Sequence, residues 1–157
     1  MFAKPHQEHH WLDQLVGNWT FEHQCEMPDG TKSATEGKMV CRSLEGMWLI
    51  SESSGVSEDG QPWSSIMTLG FDVKQSRYIG SFIGSMMSNL WLYQGDLDDS
   101  GKRLPLQSIG PKFDGTGTCK YRDTIEILDA DNWLFTSELQ SEAGEWVKFL
   151  EAPHRRI

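Results

Sequence analysis

Cysteine is scarce in this chain. Only Cys25, Cys41 and Cys119 occur, an odd number, widely spaced and with no C-x-x-C pair. Neither a disulfide framework nor a zinc ribbon is expected from them. Positive charge is also in short supply: 14 Lys and Arg stand against 23 Asp and Glu, a formal net charge of −9. That balance repels phosphate backbones and anionic membrane surfaces, so nucleic acid is not an expected partner. The one basic cluster, His154-Arg155-Arg156, reads as a solvated terminus. No apolar run approaches the ~20 residues that a membrane helix needs. The opening MFAKPHQEHH has no apolar segment of the kind a secretory signal carries. A soluble, cytoplasmic protein with a single domain over residues 1–157 is the expectation. Histidine is missing from the middle of the chain and occurs only at positions 6, 9, 10, 23 and 154. A Ser-His-Asp or Cys-His pair therefore requires one end of the chain to fold back onto it.

Short alternating or apolar stretches fill the rest. WTFEHQCE, SATEGKMVCRSL, MWLISESS, WSSIMTLGF, RYIGSFIG, LWLYQGDL, RLPLQSI, TGTCKYRDTIEIL, WLFTSELQ and WVKFLEA follow one another in order. Turn residues such as Pro28-Asp29-Gly30 and Asp98-Asp99-Ser100-Gly101 separate them. About ten strands at this spacing, joined by short loops, pair as successive antiparallel hairpins. No helical pattern intervenes, so βαβ units are excluded. A long up-and-down sheet removes its edges by closing. The expected fold is thus all-β: a closed antiparallel up-and-down barrel of about ten strands over residues 19–152. Gly70, Gly80, Gly84 and Gly95 fall inside strand patterns and are expected at bulges or bends.

The stretch from Pro5 to Val16 has a different period. On a helical wheel Trp11, Leu12, Leu15 and Val16 form one stripe, with His6, His9, His10 and Asp13 opposite. Pro5 suits the first turn and Gly17 the C-terminal end. The prediction is a helix over residues 5–16 whose apolar stripe caps one end of the barrel. His6 and His10 have metal-ligand spacing. They lie on the face expected to point to solvent, so no metal is assigned.

HHWLDQLVGNWTFE, LEGMWLISE, LGFDVKQSRYIGSFIGSM and EWVKFLEAPHRR together resemble a bacterial domain-of-unknown-function family, DUF1579, from about His6 to Arg156. That family is similar to the lipocalin-like, or calycin, barrels, which implies the same closed barrel with a helix at one end. It implies no activity. The chain departs from the family where Phe71 replaces a frequent Tyr. It departs again at Phe82-Ile83-Gly84-Ser85, where a W-x-D-S pattern is common, and at Pro153-His154, near which a Tyr is usual.

Seven Trp, seven Met and seven Phe make a heavy aromatic and thioether load. Such side chains grip flat or apolar molecules. Trp48, Met67, Tyr78, Phe82, Met86, Trp91, Tyr93 and Tyr121 are the candidates for lining an interior site. Two carboxylates join them. Trp48, Ile50 and Glu52 share one face of a strand, and Asp123 shares a face with Cys119, Tyr121, Ile125 and Ile127. A carboxylate facing a cavity orients a ligand or serves as a general base. The expected function is binding of a small apolar or aromatic molecule, with no cofactor. One alternative is an enzyme using Asp123 or Glu52 as base. Another is a haem-binding barrel with His154 as axial ligand, which requires His154 to reach inside. A homodimer is expected from the surplus of apolar positions over what one barrel needs.

Overall fold

Ten strands follow one short helical segment in a computed structural model that describes residues 1–157. Helix α1 spans Gln7–Trp11, and a 3-10 turn covers Leu12–Leu15. The strands are β1 (Gly17–Glu26), β2 (Lys32–Leu44), β3 (Trp48–Val56), β4 (Pro62–Asp72) and β5 (Arg77–Gly84). Then come β6 (Trp91–Gly95), β7 (Arg103–Pro111), β8 (Thr118–Asp129), β9 (Asn132–Gln140) and β10 (Trp146–Arg156). Every strand pairs antiparallel with its chain neighbours, and β1 pairs with β10, so the sheet closes. Trp19 stands opposite Arg156 across that seam, and Phe21 opposite His154. The barrel thus begins two residues earlier and ends four later than expected. The hairpins are set by aspartate turns: Asp29, Asp98, Asp114 and Asp129 each accept the N–H two residues on.

The helical segment is shorter than the expected span of residues 5–16, with Pro5 outside it. Its last turn tightens to 3-10 so that Val16 can leave extended into β1. It plugs one end of the barrel. Leu12 and Leu15 are buried, and Leu15 C=O accepts the Trp19 indole N–H at 2.8 Å. Trp11 donates to Gly101 C=O at 2.7 Å, and Tyr78 Oη donates to Glu8 C=O at 2.8 Å. Arg156 holds the plug from the far end of the chain. It donates to Val16 C=O at 2.8 Å and Gln14 C=O at 3.3 Å, and its guanidinium lies 4.2 Å from the Trp19 ring. A Cβ on Gly17, where φ is +138°, would sit 2.3 Å from Arg156 Nη1.

His9 does not share the solvent face with its neighbours. It is 2% exposed, packs edge-on against Phe71, and accepts the His6 N–H at Nδ1 over 2.9 Å. A helix this short and tilted into a barrel mouth buries more than one stripe, so the wheel placed His9 wrongly. His6, His10 and Asp13 remain outside.

The interior changes character along its axis. At the plug end the inward positions are large: Trp19, Leu49, Leu69, Leu104, Leu106, Ile125 and Trp133 fill the section completely. Toward the other mouth the same strands turn small or polar. Leu49 is followed by Ser51 and Ser53 on β3, and Leu69 and Met67 by Ser65 on β4. Trp133 and Phe135 are followed by Ser137 on β9. A core of leucines is dense; serines at the same pitch leave space. The glycines within strands mark close approach instead of the expected bulges. A Cβ on Gly80 would meet Thr68 O at 2.0 Å, and one on Gly95 would meet Pro105 O at 2.1 Å. The register shifts lie elsewhere, at Lys148/Leu150 and Ile127/Asp129.

Candidate functional site

The space left by the serines is a cavity of about 630 Å³, open at the mouth opposite the plug. Phe21 from β1, Trp63 and Met67 from β4, Phe82 from β5, Trp91 and Tyr93 from β6, and Phe135 from β9 form its apolar wall. Met86 and Met87, in the loop after β5, stand at its rim with Phe113 and Phe149. Trp91, Tyr121, Phe113 and Phe149 meet edge to face, with centroids 4.8–6.1 Å apart.

Seven of the ten sequence candidates border this space: Met67, Phe82, Met86, Trp91, Tyr93, Tyr121 and Asp123. Three do not. Trp48 and Glu52 lie on the outer surface, where Trp48 covers Gly70 and Glu52 stands 3.9 Å from Arg42. Their strand alternates as expected but with the opposite face inward, because Leu49, Ser51 and Ser53 fill the barrel side. Tyr78 faces inward but is sealed against Trp11, Phe71 and the plug. Glu52 is therefore not a cavity base.

The polar groups of the cavity are few. Tyr93 Oη donates a short hydrogen bond to Asp123 Oδ2. Asp123 is enclosed by protein on every side but the cavity. Burial raises its pKa from the usual carboxylate value to about 6, against the opposing pull of hydrogen bonds from Tyr93 and Ser137. At neutral pH it is a carboxylate able to accept a proton or a hydrogen bond from a bound molecule. The Tyr93 phenol is held well above its ordinary range by burial and then by Asp123.

His154 does reach inside. On β10 it lies flat between Trp133, 3.7 Å away, and Phe21, 4.7 Å away. Its Nδ1–H donates to Ala152 C=O at 2.8 Å, which leaves the Nε2 lone pair free. Burial pushes its pKa down to about 3, so the ring is neutral at pH 7. His23, stacked on Trp63, is also shifted down by burial. Cys41 is a structural thiol: it contacts Ser51 Oγ at 3.1 Å, and burial pushes it up to about 11.

The raised pKa of Asp123 has a stability cost whose sign is fixed. Between 3.8 and about 6 the native state binds more protons than the unfolded chain. Stability is therefore lost as pH rises through 6. Asp123→Asn, which cannot ionise, is expected to be more stable than the wild type at pH 7 by about 2 kcal/mol. The gain should vanish below pH 4. Urea unfolding at the two pH values checks this; equal midpoints at pH 7 contradict it.

A family model described as "Protein of unknown function (DUF1579)" matches residues 4–156. The chain belongs to that family. No curated protein sequence matches it. Among solved structures, Rv2717c from M. tuberculosis is similar at 14% identity and TM-score 0.67, covering 98% of this chain and 99% of that one. An S-type phycobiliprotein lyase, CPES from Guillardia theta, is similar at 10% identity and TM-score 0.64, covering 94% and 91%. A redesigned beta barrel, mFAP0, bound to DFHBI, is similar at 14% identity and TM-score 0.52, covering 91% and 99%. These likenesses establish a shared barrel fold. No helix of this DUF1579 chain is long and apolar enough to cross a membrane.

Proposed function

We propose that this DUF1579 barrel binds a small aromatic molecule in its interior. The observation that carries the reading is the cavity of about 630 Å³ with aromatic walls, open at one mouth and blind at the plug. Specific small-molecule sites are concave, largely apolar and furnished with a few placed polar groups. Asp123, Tyr93 and His154 fit that last part. The structural likeness to a designed barrel bound to DFHBI supports the reading, since the same architecture there holds a ligand. Titration of 2-(hydroxymethyl)naphthalene by calorimetry tests it. A one-to-one complex with Kd on the order of 10–100 μM is expected for a ligand of that size; no saturable heat counts against the reading.

A second reading rests on His154. Its anchored Nδ1–H and free Nε2 are what an axial ligand to haem iron needs. Against it, no Lys or Arg borders the cavity to meet porphyrin carboxylates. A Soret shift on adding haemin, lost in His154→Ala, would favour this reading over the first. Self-association belongs to the proposal as well. Val40, Ile66 and Ile83 are exposed in one cross-strand row on the outer face of β2 to β5, joined by Glu52 alone. A second copy of the chain covering that row should sediment as a dimer, and Ile66→Lys as a monomer.

A further inference from the structure

Asp123 is the one acid on the cavity wall, and the wall holds no Lys or Arg to pair with it. Its hydrogen-bond partners, Tyr93 and Ser137, are neutral. An ionised carboxylate in an apolar space normally has a counter-charge. This one has none from the protein, although the same barrel pairs Arg122 with Glu138 and Arg103 with Glu126 on its outside. The groups facing Asp123 are Tyr93 from β6, Tyr121 on β8 itself, and Leu106 and Ser137 at the paired positions of β7 and β9. Farther round the wall are the imidazoles of His23 and His154, both shifted toward their neutral forms. With Asp123 ionised and both imidazoles neutral, the wall offers a net negative charge. His154 Nε2 adds a second free acceptor. The aromatic rings of the wall have π faces, which attract a cation.

We propose that the cavity selects an aromatic molecule carrying a protonated amine, with Asp123 as its counter-ion. This rests on the reading of the cavity as a ligand site and specifies its chemistry. The net charge of −9 favours approach of such a cation. Binding restores to Asp123 the partner that burial denies it, so the carboxylate ionises more readily in the complex.

Three probes of one shape separate the possibilities: 2-(aminomethyl)naphthalene, 2-(hydroxymethyl)naphthalene and 2-naphthoate. At pH 7.5 the amine is expected to bind about tenfold more tightly than the alcohol, the gain of a charge-assisted over a neutral hydrogen bond. The carboxylate should bind most weakly. Near pH 6, amine binding should release protons, seen as a heat that changes with the ionisation enthalpy of the buffer; the alcohol should show no such change. Asp123→Asn should bring the ratio of amine to alcohol affinity close to one. The proton release is a wild-type measurement, so the test survives a variant that fails to fold. Equal affinities for amine and alcohol, or amine binding without proton release, would overturn the inference and leave the cavity reading standing. Binding of none of the three would overturn both.

Discussion

Ser53→Trp will abolish binding of aromatic probes and leave the fold intact. Ser53 faces inward midway along β3, between Met39 on β2 and Ser65 on β4. Its small side chain is one reason the section is hollow there. An indole at this position projects into the space a ligand would use. Because that space is empty, it does not meet the clash that overpacking causes in a dense core. Probe affinity should fall at least about a hundredfold, about 3 kcal/mol. The urea midpoint should stay within the wild-type range or rise, since the new ring buries apolar surface. Calorimetry and urea unfolding on the same sample read both results. Retained affinity would place the probe elsewhere than in the barrel.

Arg156→Ala is expected to cause the largest loss of stability among single side chains at the surface. Arg156 joins the last strand to the C-terminal end of the plug and to the turn between β8 and β9: it donates to Val16, Gln14 and Ala130 carbonyls and stacks on Trp19. Removing it takes the partner from the half-buried Val16 carbonyl, leaves the exposed Gln14 and Ala130 carbonyls to water, and uncovers the Trp19 face. The cost is about 3 kcal/mol, a fall in Tm of roughly 6–12 °C for a domain of this size. Lysine should recover little, since one ammonium cannot span three carbonyls and stack as well. A thermal melt of the three proteins decides it; an alanine variant melting with the wild type would mean that the plug holds without the latch.

How much of this was legible in the sequence follows from what the signals report. Turn spacing gave the strand number and the closed up-and-down order, because each hairpin is a local event. Alternation gave which residues share a face but not which face is inside. On β8 the apolar row containing Asp123 is the inner one, as expected. On β3 the row Trp48, Ile50 and Glu52 looked like the inner one and is the outer. The usual rule that apolar residues point inward fails where a cavity replaces a core. Serines then line the inside, and hydrophobic residues appear on the surface. The positions that could have exposed this are Ser51, Ser53, Ser65 and Ser137, each in register after a large inward residue. Falling side-chain volume along several strands in the same direction is the signature of a space. His154 entered only as the axial ligand of the haem alternative, and whether it reaches inside was not legible. Its place beside Phe21 depends on the closing of β10 against β1, a contact between the chain's two ends that no local pattern encodes. His9 was misplaced because a helical wheel assumes one buried side, whereas a plug is surrounded.

The hollow mouth-side half of the barrel is most directly tested with the methyl groups of its own methionines. Met39, Met67, Met86 and Met87 border the cavity, while Met1, Met27 and Met47 do not. In a protein carrying ¹³C only at the methionine methyls, titration with 2-(hydroxymethyl)naphthalene should shift all four cavity resonances by ring currents, saturably and together, and leave the other three in place. Shifts confined to the rim pair Met86 and Met87, with Met39 and Met67 unmoved at saturation, would mean that the interior does not admit the molecule.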